Sequence, residues 1–232
     1  MGNLNEKNSR VSAFMPPHAD AEQAEPAHKV KDYDFRKPKK FTREHLRDLN
    51  TVNENITRIF ASNLSGMLRV FSEVNLSKLE ERRYIEYIND LPDKTLIGLV
   101  ELDPEGHKLD PTTMILHVPS TINFFLIDIL LGGSGEGFNL QRGYTEIETE
   151  ILKYFYGKLT SYMEEAWNSL LEATCKTTAF ETNPRIAQVF PPDDTVIVMT
   201  FEVKIRNITD FISVCISAMH ERSYLKVILR KI

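Results

Sequence analysis

The chain has 232 residues, a formal net charge of −5 and an apolar share of 42%, which is ordinary for a soluble globular protein. This length allows one large domain or two small ones, each with a buried core. The mild acidity gives no reason to expect nucleic-acid binding, which requires a basic face. The longest apolar run, residues 124–131, is too short for a membrane span, and the N-terminus has no signal peptide, so we expect a cytoplasmic protein.

The first 40 residues differ in composition from the rest of the chain. They are rich in Ala, Asn, Glu and Pro and poor in aliphatic side chains. Such a segment cannot bury enough apolar surface to offset the entropy cost of ordering it. We therefore expect a disordered, flexible tail over residues 1–40 and a folded domain over residues 41–232.

From Thr42 onward the apolar residues recur at steps of three or four, which predicts a long helix from Thr42 to about Arg69. Turn signals such as Asp-Pro then separate shorter apolar segments. The elements predicted for this half are a strand over Val70–Leu79, a short helix over Arg82–Ile88, strands over Thr95–Leu102 and Met114–Val118, and a helix over Ser120–Leu131.

A second long helix is predicted over Thr145–Glu172, with Thr145 and Glu148 forming an S/T-x-x-E capping box. Ile147 is the first residue of the apolar stripe assigned to this helix. The elements predicted after it are strands over Cys175–Phe180, Ala187–Phe190, Thr195–Ile205 and Phe211–Ile216, and a helix over His220–Ile232.

The order helix, strand, short element, strand, strand, helix thus occurs twice. The segments FTRE at Phe41–Glu44 and YTEI at Tyr144–Ile147 begin the two halves. This order predicts an internal duplication and a pseudo-two-fold symmetric α/β domain, with a central sheet flanked by long helices. The halves would span about residues 41–131 and 144–232.

The segment LGGSGEG, Leu131–Gly137, lies between these halves. Nucleotide-binding glycine loops follow a strand and carry GK[ST] or G-x-G-x-x-G, whereas here the preceding residues are helical and position 138 is Phe. Gly132 suits a helix end, because glycine adopts positive φ without strain, but the other glycines exceed what a helix end requires. A structural turn and a backbone surface for a partner remain as alternative interpretations.

Patterns typical of catalysis or metal binding are not found in the sequence. The six histidines show no metal-ligand spacing, and no G-x-S-x-G elbow stands between a strand and a helix. Cys175 and Cys215 are far apart and belong to no CxxC motif, so we expect two buried thiols. We therefore predict no catalytic residue, no cofactor and no metal.

Several stretches, in this order, resemble the flagellar motor switch protein FliM family, specifically its middle domain and the segment before it, over Val30–Ile232. The matching stretches are YDFRKPKKF at Tyr33–Phe41, the glycine loop, YTEIETEIL at Tyr144–Leu152, ETNPRIAQVFPPDD at Glu181–Asp194 and FISVCI at Phe211–Ile216. The resemblance implies a pseudo-symmetric fold related to the CheC and CheX phosphatases.

The resemblance also implies a function, that of a structural and signalling component of the cytoplasmic ring at the flagellar basal body, peripheral to the inner membrane. In this family a GGxG loop contacts the middle domain of FliG, neighbouring copies pack around the ring, and phosphorylated CheY reverses rotation. Gly132, Gly133, Ser134 and Gly135 fall on that loop, so the resemblance assigns them to FliG binding. We expect ring neighbours to meet along the two long helices.

Two features of the family are not found in this sequence. A segment similar to LSQ-x-EIDALL, which captures phosphorylated CheY, is not found between Met1 and Lys31, so we expect weak or lost CheY binding. The family's small C-terminal domain, which joins FliN, would follow Ile232, so we expect it to be absent from this chain.

The E-x-x-N pair of CheC-type phosphatases is not retained at Thr51–Glu54 or at Lys153–Tyr156. Glu165 and Asn168 form such a pair, but about three turns too late on the second long helix. We therefore expect no enzymatic activity. The alternative function is that of a CheC-like phosphatase acting on phosphorylated CheY.

Overall fold

A computed structural model describes residues 43–106, 109–135, 142–168 and 171–228, so the tail predicted over residues 1–40 lies outside the described residues. The helices within these ranges are α1 (Arg43–Leu68), α2 (Tyr84–Asp90), α3 (Ser120–Leu130), α4 (Glu146–Asn168) and α5 (Ala218–Ile228). The strands are β1 (Ser72–Arg83), β2 (Ile97–Pro104), β3 (Thr112–His117), β4 (Ala173–Glu181), β5 (Thr195–Ile205) and β6 (Ile208–Ser217).

The six strands form one antiparallel sheet in the order β1-β5-β6-β3-β2-β4. Exchanging β1, β2 and β3 with β4, β5 and β6 reproduces the same order read from the opposite edge. The two central strands, β3 and β6, pair with each other, for example at Leu116 and Val214. The mixed α/β architecture and its pseudo-two-fold arrangement are therefore confirmed.

The two faces of the sheet carry separate cores. Side chains alternate between faces along a strand, so Ile212, Val214 and Ile216 of β6 belong to the core beneath α1, α3 and α4. Cys215, between them in sequence, belongs to a smaller core with α2 on the opposite face. Cys175 and Cys215 are both buried free thiols, as the sequence indicates.

The strand predicted over Ala187–Phe190 is wrong. This segment has no regular secondary structure and follows a turn at residues 184–186, in which the Asn183 carbonyl accepts a hydrogen bond from Ile186 N at 3.1 Å. The Tyr84 hydroxyl donates to the Ala187 carbonyl and accepts from Val189 N. The backbone groups that would pair with a neighbouring strand are thus bonded to a side chain that is distant in sequence.

Close packing between α4 and β2 depends on a glycine. A Cβ atom on Gly98 would lie 2.8 Å from Cδ1 of Tyr156, too close for a real contact. Tyr156 is fully buried, and its hydroxyl donates a hydrogen bond to the Leu96 carbonyl at 2.9 Å. Because both its ring and its hydroxyl are held, Tyr156 cannot move aside to accommodate a larger residue.

We expect Gly98→Ala to lower the free energy of unfolding by about 1–3 kcal/mol, since the added methyl group overpacks this contact. Gly157→Ala is the matched control, because a Cβ there meets nothing within 4 Å. In the helix this control should raise stability by about 0.5–1 kcal/mol. Urea unfolding measures both variants, and a Gly98→Ala variant as stable as wild type would contradict the packing argument.

Glu221, in the first turn of α5, is a buried carboxyl group. It is 2% exposed, and its Oε2 has no hydrogen-bond partner within the part of the chain that the structure describes. Burial raises the pKa of Glu221 to about 7 from an ordinary value of 4.5. His220 and Tyr224 are titratable neighbours on the same helix, and the Tyr224 hydroxyl donates to the Asp110 carbonyl.

The free energy of unfolding should therefore fall as the pH rises from about 4.5 to about 7. The unfolded chain loses the Glu221 proton near pH 4.5 while the folded chain keeps it to about pH 7, so the contribution present below pH 4.5 is lost across that window. We expect Glu221→Gln to gain up to about 3 kcal/mol relative to wild type between these limits. Urea unfolding below, within and above the window tests this, and a pH-independent difference would contradict it.

Candidate functional site

The glycine loop begins as the cap of α3. Gly132 N donates a hydrogen bond to the Ile129 carbonyl at 3.1 Å, and Gly133 N donates to the Asp128 carbonyl at 2.8 Å. Gly132 has φ +86°, the left-handed conformation that glycine adopts without strain. These two bonds form a Schellman motif, so Gly132 ends the helix as the sequence predicts.

Beyond this cap the chain folds back onto α3. Gly135 is buried and has φ +72°. Its N–H donates to the Asp128 carboxylate, with Oδ2 at 2.7 Å. A Cβ atom on Gly135 would lie 2.7 Å from Cε2 of Phe125 and 2.8 Å from Cδ1 of Ile129, so only glycine fits here.

Gly133 is required for a different reason. A Cβ atom at this position would lie 2.2 Å from Oδ1 of Asp128. Any larger residue would displace that carboxylate and so break its hydrogen bond to Gly135. Gly133 and Gly135 exceed what the end of a helix requires, but the conformation of the loop itself needs both of them. Gly137 lies outside the described residues.

Arg206 reaches the loop from the other half of the domain. It lies in the two-residue turn between β5 and β6 and has φ +53°. Its Nη1 donates a hydrogen bond to the Ser134 carbonyl. Sequence reasoning missed both Arg206 and Asp128 as parts of this site, because neither belongs to a motif and Arg206 is 72 residues from Ser134.

The loop exposes small residues beside one large apolar side chain. Gly132, Gly133 and Ser134 are exposed, and the Leu131 side chain beside them is 71% exposed. The N–H groups of Gly132 and Gly133 are used within the loop, and Gly135 faces α3 rather than solvent. The site therefore offers exposed main chain beside the Leu131 side chain, not a row of free donors.

The start of α4 fixes the chain on the far side of residues 136–141, which are outside the described ranges. Thr145 N donates to Glu148 Oε2 at 2.8 Å, and Glu148 N donates to Thr145 Oγ1 at 3.3 Å, which confirms the capping box. Arg142 donates to Glu148 at 2.5 and 2.7 Å. This guanidinium, helped by the Thr145 bonds, lowers the pKa of Glu148 to about 2.

A second surface lies on α4. Ile147, predicted to belong to the apolar stripe of this helix, is 75% exposed, so that prediction is wrong at this position. Tyr154, two turns further along, is 60% exposed, and the Lys158 ammonium lies 5.6 Å from its ring centroid. The core begins instead with Leu152 and Phe155, which leaves the outer face of the helix partly apolar.

The E-x-x-N pair on α4 has structural partners. Glu165 Oε2 accepts a hydrogen bond from Asn63 of α1 at 2.8 Å, and Asn168 Oδ1 accepts one from Ala173 N at 2.8 Å. Among the described residues, no group of three or more His, Cys, Asp or Glu residues could hold a metal ion. No described helix is long and apolar enough to cross a membrane.

Comparison with known proteins identifies the family that the sequence matches. The sequence profile of the flagellar motor switch protein FliM matches residues 42–231. FliM of Bacillus subtilis is 30% identical over 216 residues, which cover 91% of this chain and 63% of the relative. FliM of Treponema pallidum is 29% identical, with 89% of this chain and 59% of the relative covered. The chain thus spans less than two thirds of the length of these relatives.

Solved structures show the same fold. A chain of the crystal structure of a FliG–FliM complex from H. pylori superposes with a TM-score of 0.72 at 23% identity, covering 80% of this chain and 100% of that one. Together with the profile match over most of the sequence, these findings establish that the chain belongs to the flagellar motor switch protein FliM family.

Proposed function

We propose that this chain is a structural component of the bacterial flagellar motor switch and that it binds the middle domain of FliG through its glycine loop. The observation that carries the proposal is a rigid, exposed loop tip formed by Leu131, Gly132, Gly133 and Ser134. Family membership supports the assignment, as does the FliG–FliM complex from H. pylori, whose FliM has this fold.

The chemistry of the tip defines the partner surface that fits it. The glycines have no side chains, so a partner backbone can approach the main chain closely. Leu131 is exposed beside them, and burying such a side chain contributes about 1.5–3 kcal/mol to binding. The partner should therefore present an apolar pocket for Leu131 next to a flat surface for Gly132 and Gly133.

The rigidity of the loop also favours binding. Gly135 is bonded to Asp128 and packed against Phe125 and Ile129, so the loop is already ordered before any partner arrives. A preorganised surface loses little conformational entropy on association. We assign Gly135 to this supporting role, and the direct contact to Gly132, Gly133 and Ser134.

Neighbouring FliM copies are the second proposed partner. Ile147 and Tyr154 give the exposed face of α4 an apolar character that α4 does not use in its own core. A contact through two side chains is weak on its own, but a closed ring combines many such contacts through multivalency.

From family membership we propose that this ring lies on the cytoplasmic side of the inner membrane at the basal body. The ring would convert the signal of phosphorylated CheY into a change in the direction of rotation. We assign no described surface to phosphorylated CheY or to FliN.

The alternative function is a CheC-like phosphatase. The candidate pair Glu165 and Asn168 would have to position a water molecule, but in this chain Glu165 accepts a hydrogen bond from Asn63 and Asn168 accepts one from the backbone of Ala173. These contacts favour a non-enzymatic role. A purified chain that accelerates the loss of phosphate from CheY would favour the alternative.

The choice of variant decides how clearly FliG binding can be tested. An aspartate at Gly133 would displace the Asp128 carboxylate, so a loss of binding would not separate contact from loop conformation. Leu131 is better suited, because its exposed side chain can be replaced without altering the loop.

We expect Leu131→Asp to lower the affinity for the FliG middle domain at least tenfold, about 1.4 kcal/mol, because a charge replaces the apolar anchor. The unfolding temperature should not change. Ile186→Asp is the matched control, since Ile186 is 65% exposed on a distant turn. Calorimetric titration of the full chain measures both. Unaltered binding by Leu131→Asp, or equal loss in the control, would refute the proposed contact.

A further inference from the structure

Two side chains hold the glycine loop without belonging to its exposed surface. We propose that Asp128 and Arg206 are positioning residues, which fix the loop in the conformation that the partner binds. This inference rests on the proposed function for the identity of the partner, FliG. The positioning itself can be measured on the chain alone.

Asp128 acts from within α3. Its carbonyl accepts the Gly133 N–H at 2.8 Å, and its carboxylate accepts the Gly135 N–H at 2.7 Å. One residue thus binds the loop on both sides of Ser134. The bond to the carboxylate is charge-assisted, which makes it stronger than a neutral hydrogen bond.

Arg206 acts from the β5–β6 turn. Its guanidinium donates to the Ser134 carbonyl, the group that lies between the two amides held by Asp128. Its Nη1 also lies 3.0 Å from the position of a Cβ on Gly135, so it packs against the folded-back segment. Asp128 and Arg206 therefore restrain three consecutive residues of the loop, Gly133–Gly135.

The backbone of Arg206 supports a role for its side chain. Its φ of +53° is a conformation that favours glycine, and an arginine there is disfavoured. The two-residue hairpin turn requires this conformation, and an arginine rather than a glycine at such a position is consistent with a role for its side chain. Since the β5–β6 turn belongs to the second half of the domain, a shift of this turn relative to α3 would move or release the loop.

The variant Arg206→Gly tests the role of the side chain without destabilising the fold. Glycine suits the positive φ, so the unfolding temperature of the full chain should stay the same or rise. Without the guanidinium, we expect amide exchange at Gly135 to accelerate about tenfold. The affinity for purified FliG should fall about fivefold, mainly through slower association, because fewer molecules hold the competent loop conformation.

Lys204→Ala is the matched control. Lys204 lies on the same hairpin and its removal changes the charge equally, but its partner is Glu202 at 3.0 Å rather than the loop. This variant should leave both the exchange rate and the affinity unchanged. Asp128→Asn keeps an acceptor without the charge, and should shift both measurements in the same direction as Arg206→Gly.

The outcomes distinguish the inference from the function on which it rests. Unchanged exchange in Arg206→Gly, or equal effects in Lys204→Ala, would overturn the positioning role. Faster exchange with unchanged FliG affinity would overturn its importance for binding. If wild type does not bind FliG, the proposed function fails, while the exchange rates still decide whether the two residues hold the loop.

Discussion

The carboxylate of Asp128 is the interaction on which the candidate site depends. It turns the end of a helix into a closed loop, because it accepts the Gly135 amide after the backbone of the same residue has accepted the Gly133 amide. The space that this carboxylate occupies is why Gly133 has no side chain. The glycine content of the loop is thus a consequence of how the loop is built, and its exposed tip is what remains for a partner.

The pseudo-two-fold sheet places this loop where both halves of the domain can hold it. Helix α3 follows β3, one of the two central strands, and the loop then leads toward α4. The turn between β5 and β6 supplies Arg206 from the other half. A partner bound to the tip would therefore be connected to the sheet by rigid elements.

Local patterns in the sequence predicted much of the fold, whereas contacts between distant residues could not be predicted. The strand over Thr195–Ile205 and the capping box at Thr145 were predicted from neighbouring residues, and both are confirmed. The strand expected over Ala187–Phe190 failed because Tyr84, about a hundred residues earlier, binds its backbone. The contact of Arg206 with the loop could not be predicted for the same reason, because no local pattern shows that the β5–β6 turn reaches Ser134.

The most direct test of a preformed loop that binds FliG is an amide-exchange map of the full chain, recorded free and then bound to FliG. We expect Gly135 to be protected already in the free chain, because its N–H is bonded to Asp128. Binding should then slow exchange around Leu131–Ser134. Rapid exchange of Gly135 in the free chain would contradict a preformed loop. Protection by FliG only on surfaces away from the tip would contradict the site.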